Sequence, residues 1–204
     1  PYDATSSTFI VEMNDDVWRR AGFDVFADRV FAPGESDEKS VELVRELFAD
    51  ILGGYDVMLN NSKWLNFCTV RNEQWRCANI VLLGDAAHTA HFSIGSGTKL
   101  AMEDALALAA CLHEQSDVNS ALDAYVAERQ PVVLSTQRAA QASLEWFANL
   151  GKYTHQEPLQ FEFNIMTRRR RLTYDQLPLA RPDRLDSVAP WLSAHHAPPR
   201  RPAP

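Results

Sequence analysis

No apolar run in the 204 residues approaches the ~20 consecutive residues that a membrane-spanning helix needs. The chain has little cysteine. Cys68, Cys77 and Cys111 are widely spaced and odd in number, which excludes a disulfide scaffold and a C-x-x-C zinc site and fits a reduced, cytoplasmic setting. Positive charge is also scarce. A net charge of −7 argues against a nucleic-acid partner, because phosphate binding wants a basic surface. The chain opens on Pro1-Tyr2-Asp3, with neither an initiator methionine nor the basic and apolar regions of a signal peptide, so it reads as the later part of something longer. Hydrophobic residues make up 46% and charged residues 23%, an ordinary globular composition with enough chain for one sizeable core or one and a half domains.

The pattern along the chain predicts a small β/α piece, then a buried strand, a special loop, and finally helices. Thr8–Met13 alternates as a strand does. Asn14 looks like an N-cap, Asp15 and Asp16 suit a first turn, and Gly22 is a stop, giving a short helix over 15–21. Ser36 or Ser40 can cap a second helix that ends at Gly53-Gly54. Val57–Leu59 and Trp64–Arg71 read as strands. Ile80–Leu83 is wholly apolar and suits a strand covered on both faces. Helices are expected from Thr98 to His113, from Ser120 to Asn149 and from Pro158 to Arg168, with Pro131 kinking or breaking the second near Gln130. The Pro-rich end, 197–204, reads as a tail or linker.

The stretch GDAAHTAHFSIGSGTKLAMED, Gly84 to Asp104, carries the chemistry. Gly84 lets the backbone turn at the end of the buried strand. Asp85 then stands at the strand's C-terminal end, where open sheets bind ligands. Gly95 and Gly97 permit close backbone approach, and the loop they build feeds straight into a helix whose first N–H groups and positive dipole end suit an anion. An ionised Asp85 suits ribose or ribityl hydroxyls. Hydroxyl binding beside an anion-binding helix end describes a dinucleotide cofactor site. A glycine loop before a helix is by itself often only a capped turn, and the conjunction of strand, Gly-Asp-Ala-Ala-His, glycine loop and small-residue helix is what carries weight.

This stretch resembles the second flavin-binding motif of the FAD-dependent aromatic hydroxylases, the class A flavoprotein monooxygenases with the p-hydroxybenzoate hydroxylase fold. The variant His91-Phe92-Ser93-Ile94-Gly95-Ser96-Gly97-Thr98-Lys99-Leu100-Ala101 is similar to the hydroxylases of aryl-coenzyme A thioesters, of the salicylyl-CoA 5-hydroxylase and 2-aminobenzoyl-CoA monooxygenase/reductase type. Ser7–Glu12, Trp64–Phe67 and Phe163–Arg168 agree, and the resemblance covers most of Thr8 to Thr173. It implies an α/β fold: part of an FAD/NAD(P)-binding Rossmann-like domain and part of a substrate-binding sheet domain, followed by long C-terminal helices. The divisions expected are 1–75 for the partial substrate domain, 76–175 for the second FAD segment with its helices, and 176–204 for a tail or interdomain linker.

The resemblance also implies a chemistry. NAD(P)H would reduce FAD, oxygen would form a flavin C4a-hydroperoxide, and an aromatic ring, an aryl-CoA above all, would take the distal oxygen. Gly84, Asp85, Gly95, Ser96, Gly97, Thr98 and Lys99 would contact FAD, with Asp85 at the ribityl and pyrophosphate region and the Thr98 and Lys99 N–H groups at the pyrimidine carbonyl. His91 and Phe92 would face the substrate, His91 as the candidate catalytic residue, orienting a phenol or carbonyl or assisting its deprotonation. Phe92 stands where the family has Pro, and Lys99 where it has Asn. The G-x-G-x-x-G that grips the ADP half of FAD does not occur here, so the chain reads as a fragment, inactive alone, with a reductase domain beyond its C-terminus and a homodimer as an open option. The rival readings are another FAD-dependent oxidoreductase, a reductase or halogenase, and a non-catalytic interaction fragment.

His88 and His91 have H-x-x-H spacing without a defined third ligand, so no metal is expected and His88 reads as structural. Arg168–Arg171 reads as a solvated basic face, with coenzyme A phosphates as the alternative. Met102, Leu106 and Leu108 read as core. Trp146, Phe147, Phe161 and Phe163 read as helix packing or an interface, and Cys111 as a small buried apolar residue.

Overall fold

Local capping chemistry sets the first helices. In the computed structural model, which describes residues 2–27 and 29–171, the Asn14 side chain accepts from the Val17 N–H and starts α1 (Asp15–Arg20), and Gly22 ends it in the left-handed region at φ 86°. Asp37, not Ser36 or Ser40, caps α2 (Glu38–Leu47). Its carboxylate accepts from the Ser40 N–H at 3.2 Å and from the Ser40 hydroxyl at 2.5 Å. Ser40 therefore lies inside the first turn, as the partner of the cap. A short α3 (Ala49–Leu52) follows and stops at Gly53, again with positive φ.

The chain divides into two compact units, Pro1–Phe67 and Cys68–Pro204. In the first, Phe23 is fully buried and meets Trp64 edge-on, with ring centroids 4.7 Å apart. The second is built on two long helices, α4 (Gly97–Glu114) and α5 (Val118–Ala148), which pack against each other. Asp117 caps α5 by accepting from the Ser120 N–H and hydroxyl. The Ser120 hydroxyl holds the Asp117 carboxyl below the usual aspartate range. α6 (Pro158–Thr167) begins with proline in its first turn, where the missing N–H costs nothing.

The expected sheet is largely absent from the described residues. Only β1 (Arg76–Cys77) and β2 (Ile80–Val81) form a ladder, an antiparallel pair with Arg76 opposite Val81. Thr8–Met13, Val57–Leu59 and Trp64–Val70 join no described ladder, and Arg71 makes one isolated bridge to His88. Alternating apolar residues make a strand only where a neighbour takes up the backbone hydrogen bonds. For the same reason Ile80–Leu83 is not covered on both faces: β2 has a single described neighbour, Ile80 is 66% exposed and Leu83 is exposed.

Pro131 does not break α5, which runs unbroken for 31 residues. Leu122, Tyr125, Arg129, Val133, Thr136, Ala140 and Ser143 form one buried stripe at spacings of three and four, and this packing outweighs the local penalty. Pro131 and Ala127 lie on the exposed side, so the Ala127 carbonyl that loses its donor is open to water. On α4 the buried stripe is Leu100, Asp104, Ala107 and Cys111. Met102 and Leu106, expected in the core, fall on the other side of the helix and are exposed, because 100° per residue carries them away from that stripe. Leu108 is half-buried against the core. Burial raises the Cys111 thiol above its ordinary value. Among the described residues no helix is long and apolar enough to cross a membrane. The proposed tail, 176–204, lies outside the described residues.

Candidate functional site

The Gly84–His88 loop is anchored from below by one carboxylate. Asp104, fully buried on α4, accepts from the Gly84 N–H at 3.1 Å and from His88 Nε2 at 2.6 Å through Oδ2. Through Oδ1 it accepts from Arg129 Nε at 2.9 Å. An ionised carboxylate only accepts, so His88 donates from Nε2. The Arg129 guanidinium also reaches Glu103 at 3.0 Å, and Glu103 takes the Lys99 ammonium at 3.1 Å. Lys99 and then Arg129 hold the Glu103 carboxyl below its usual range. Burial works against the charge on Arg129, yet its two carboxylate partners prevail and raise its pKa.

Aromatic residues close the sides of this anchor. Trp75 stacks on the His88 ring at 5.2 Å and donates its indole N–H to the Asn72 carbonyl. The Asn72 amide donates to the carbonyls of Ala86 and Ala87. Tyr125 donates to the Leu82 carbonyl at 3.1 Å, and burial, with Asp104 nearby, pushes its phenol upward. Leu82 to His88 is thus fixed by hydrogen bonds from three separate elements. Gly84 takes φ 57°, and a Cβ there would lie 3.2 Å from the Ala101 Cβ. Only glycine fits this close approach of loop to helix.

Above the anchor the chain stays open. Asp85 is exposed immediately after Gly84. Gly95 turns the chain at φ 63°, and a Cβ on Gly95 or Gly97 would meet nothing within 4 Å. Ser96 stands at the N-cap of α4 but makes no capping hydrogen bond, its hydroxyl going to the Ile94 carbonyl at 3.3 Å. Thr98 and Lys99 are exposed in the first turn. The first N–H groups of an α-helix have no partner within the helix, and here the cap residue supplies none. The Lys99 ammonium is drawn along the helix to Glu103, away from those N–H groups. A carboxylate that accepts from hydroxyls and an uncapped helix end that donates to an anion therefore lie on two elements packed together, a combination that fits a flavin dinucleotide.

His91 is buried and tilted against the Phe92 ring at 4.5 Å, and Phe92 is partly exposed. The Nδ1 of His91 lies 2.9 Å from Ser93 Oγ. His88 and His91 thus enter different networks, and among the described residues no group of three or more His, Cys, Asp or Glu could hold a metal ion. Arg168 is not part of a solvated face. It is half-buried, lies over the Phe147 ring at 5.3 Å and donates to Ser143. Burial, and then the charge of Arg169, lower its pKa. Trp146 packs against Phe147, Tyr153 and Phe161. Asp104 closes the Gly84–Asp104 stretch that the sequence marks out, but nothing local marks Arg129, Tyr125, Trp75 or Arg168 as neighbours of that stretch.

Comparison with known proteins agrees with this chemistry. The FAD binding domain family matches residues 24–140. A salicyloyl-CoA 5-hydroxylase from a Streptomyces species is 45% identical over 199 residues, covering 96% of this chain and 38% of that protein. A 3-hydroxy-4-methyl-anthranilyl-(aryl-carrier protein) 5-monooxygenase of Streptosporangium sibiricum is 41% identical over 150 residues, 74% of this chain and 36% of that protein. A protodeoxyviolaceinate monooxygenase of Chromobacterium violaceum is 32% identical over 173 residues, 84% of this chain and 44% of that protein. The chain spans about two-fifths of the length of these curated relatives.

Proposed function

Because this chain belongs to the FAD binding domain family, we propose that it forms the second flavin-binding segment of a monooxygenase that hydroxylates a thioester-linked aromatic ring. The reductant is NAD(P)H, the oxidant is O2, and the substrate is an aryl-CoA. Two relatives named for CoA-linked and carrier-linked aromatic substrates support the thioester class. The observation that carries the reading is the uncapped start of α4 beside the anchored Gly84–His88 loop.

On this reading the described units are parts of a Rossmann-like FAD domain and of a substrate-binding sheet domain. Asp85 takes ribityl hydroxyls. The backbone of Gly95–Lys99 faces the flavin, and the α4 dipole favours negative charge there. His91 and Phe92 line the space for the aromatic ring, His91 holding an oxygen of the substrate. The Asp104 network keeps the loop from moving as the cofactor binds. When bound, FAD supplies the activation of oxygen, and the residues supply placement and exclusion of water.

The test uses the protein at its native length. Its visible spectrum is recorded, NADH and NADPH oxidation are followed with and without salicyloyl-CoA and 2-aminobenzoyl-CoA, and the product is weighed. Flavin bands, oxidation stimulated by an aryl-CoA and a product heavier by one oxygen are expected. A protein without flavin, or with oxidation indifferent to every aryl-CoA, overturns the reading. Asp85→Ala is expected to weaken FAD retention while leaving the fold intact.

A further inference from the structure

The basic run that follows α6 divides into an inner and an outer part. Arg168 is half-buried and ties the run to the loop, donating to the Ser143 hydroxyl on α5 at 3.0 Å and to the Ser93 carbonyl at 3.4 Å. Arg169, Arg170 and Arg171 are exposed. The chain turns at Arg170, which takes φ 55°, a left-handed conformation uncommon for any residue but glycine.

Charge balance sets this run apart. Arg19, Arg29, Arg45, Arg76 and Arg129 each lie beside a carboxylate. Among the described residues no carboxylate pairs with Arg169, Arg170 or Arg171. Nor does α5 supply one nearby, for it carries no Asp or Glu from Gln130 to Leu144, and Arg138 is exposed within that stretch. In a chain of net charge −7 this is a local concentration of positive charge.

Arg171 is also held in place. Its Nη2 donates to the Ser135 hydroxyl at 3.0 Å and to the Thr136 hydroxyl at 3.4 Å. Neutral acceptors fix the head without cancelling its charge, and the Nε and Nη1 protons remain for an anion. Ser143 and Ser135 both lie on α5, about 12 Å apart along its axis. The run therefore extends along α5 from the Ser93 carbonyl, next to Phe92, to the guanidinium of Arg171. An aryl-CoA has a matching layout, with its ring at one end of a long pantetheine arm and its phosphates at the other.

We propose that Arg169, Arg170 and Arg171 form the subsite for the phosphates of coenzyme A, holding the 3′-phosphorylated ADP end of the substrate while the ring lies beside Phe92. The subsite deepens the aryl-CoA reading proposed above and rests on it. Guanidinium groups suit phosphate because they keep their charge and offer several donors at once.

The test is isothermal titration of the full-length, FAD-loaded protein, without reductant, with CoA, with adenosine 3′,5′-bisphosphate and with NADPH. The wild type is expected to bind CoA and the bisphosphate. Arg169→Gln/Arg170→Gln, which keeps the Arg171 anchors, should bind both about tenfold more weakly, and so should Arg171→Gln, about the worth of one charge-assisted hydrogen bond. Arg169→Lys/Arg170→Lys should regain part of the loss, and NADPH should bind all forms alike. A wild type that binds no CoA overturns the proposal. So does CoA affinity unchanged in the double Gln variant, or a loss that falls on NADPH and spares CoA, which assigns the run to the nicotinamide cofactor instead. Failure of the hydroxylase reading shows separately, as oxidation indifferent to aryl-CoA while CoA binding still depends on these arginines.

Discussion

Asp104→Asn alters a single group yet should loosen the Gly84–His88 loop at both its ends, Gly84 and His88, while Asn72 still holds Ala86 and Ala87. The carboxylate presents two oxygens to three donors, Gly84 N–H and His88 on one side and Arg129 on the other. An amide has one oxygen, so whichever way it turns its NH2 faces a donor. The Arg129 side chain, only 8% exposed, also loses a charged partner and keeps Glu103 alone. Removing one member of a buried ion pair costs about 3–5 kcal/mol, and the lower end applies here because Glu103 remains. A loss of about 3 kcal/mol corresponds to roughly two orders of magnitude in an opening equilibrium. Amide hydrogen exchange at Gly84 reads that opening directly, and urea denaturation reads its share of the global stability. The Asn variant should exchange at Gly84 about a hundredfold faster, unfold at lower urea and hold FAD more weakly. Exchange within threefold of wild type, with an unchanged urea midpoint, would refute the anchoring role of this carboxylate.

Two further outcomes follow from the same region. Gly84→Ala forces a side chain into φ 57° with its Cβ 3.2 Å from Ala101, so a loss of about 1–3 kcal/mol is expected, read by denaturation and accompanied by weaker FAD retention. Glu103 is held below its ordinary value of 4.5 by Lys99 and Arg129. A depressed carboxyl contributes stability that is fully present above its unfolded value and is lost as pH falls through the folded one. The stability gap between wild type and Glu103→Gln should therefore be level above about pH 5.5 and close below about pH 4. A gap that widens on acidification contradicts the assigned partners.

Much of the helical half was legible because its signals are local. Asn14 before Asp15-Asp16, Gly22 after the first helix, and Pro158 at the start of α6 act within one turn, where capping geometry is complete in a few residues. Strand signals misled for a matching reason. Thr8–Met13 and Trp64–Val70 alternate correctly, but a ladder depends on a neighbour that no local pattern encodes. Pro131 carries a local penalty of one residue, and the buried stripe from Leu122 to Ser143, which is assembled only by packing, overrides it.

The candidate site divides in the same way. Small residues, an aspartate at a strand end and glycines before a helix are contiguous from Gly84 to Lys99, so the sequence by itself determined what kind of ligand the loop can approach: backbone access and one carboxylate are properties of neighbouring residues. What holds the loop was decided only by the tertiary structure. Arg129 reaches Asp104 across 25 residues, and Arg168 reaches Ser143 across 25. Such pairs leave no local trace, because a buried charge or hydroxyl finds its partner wherever packing brings one, and burial makes that partner obligatory.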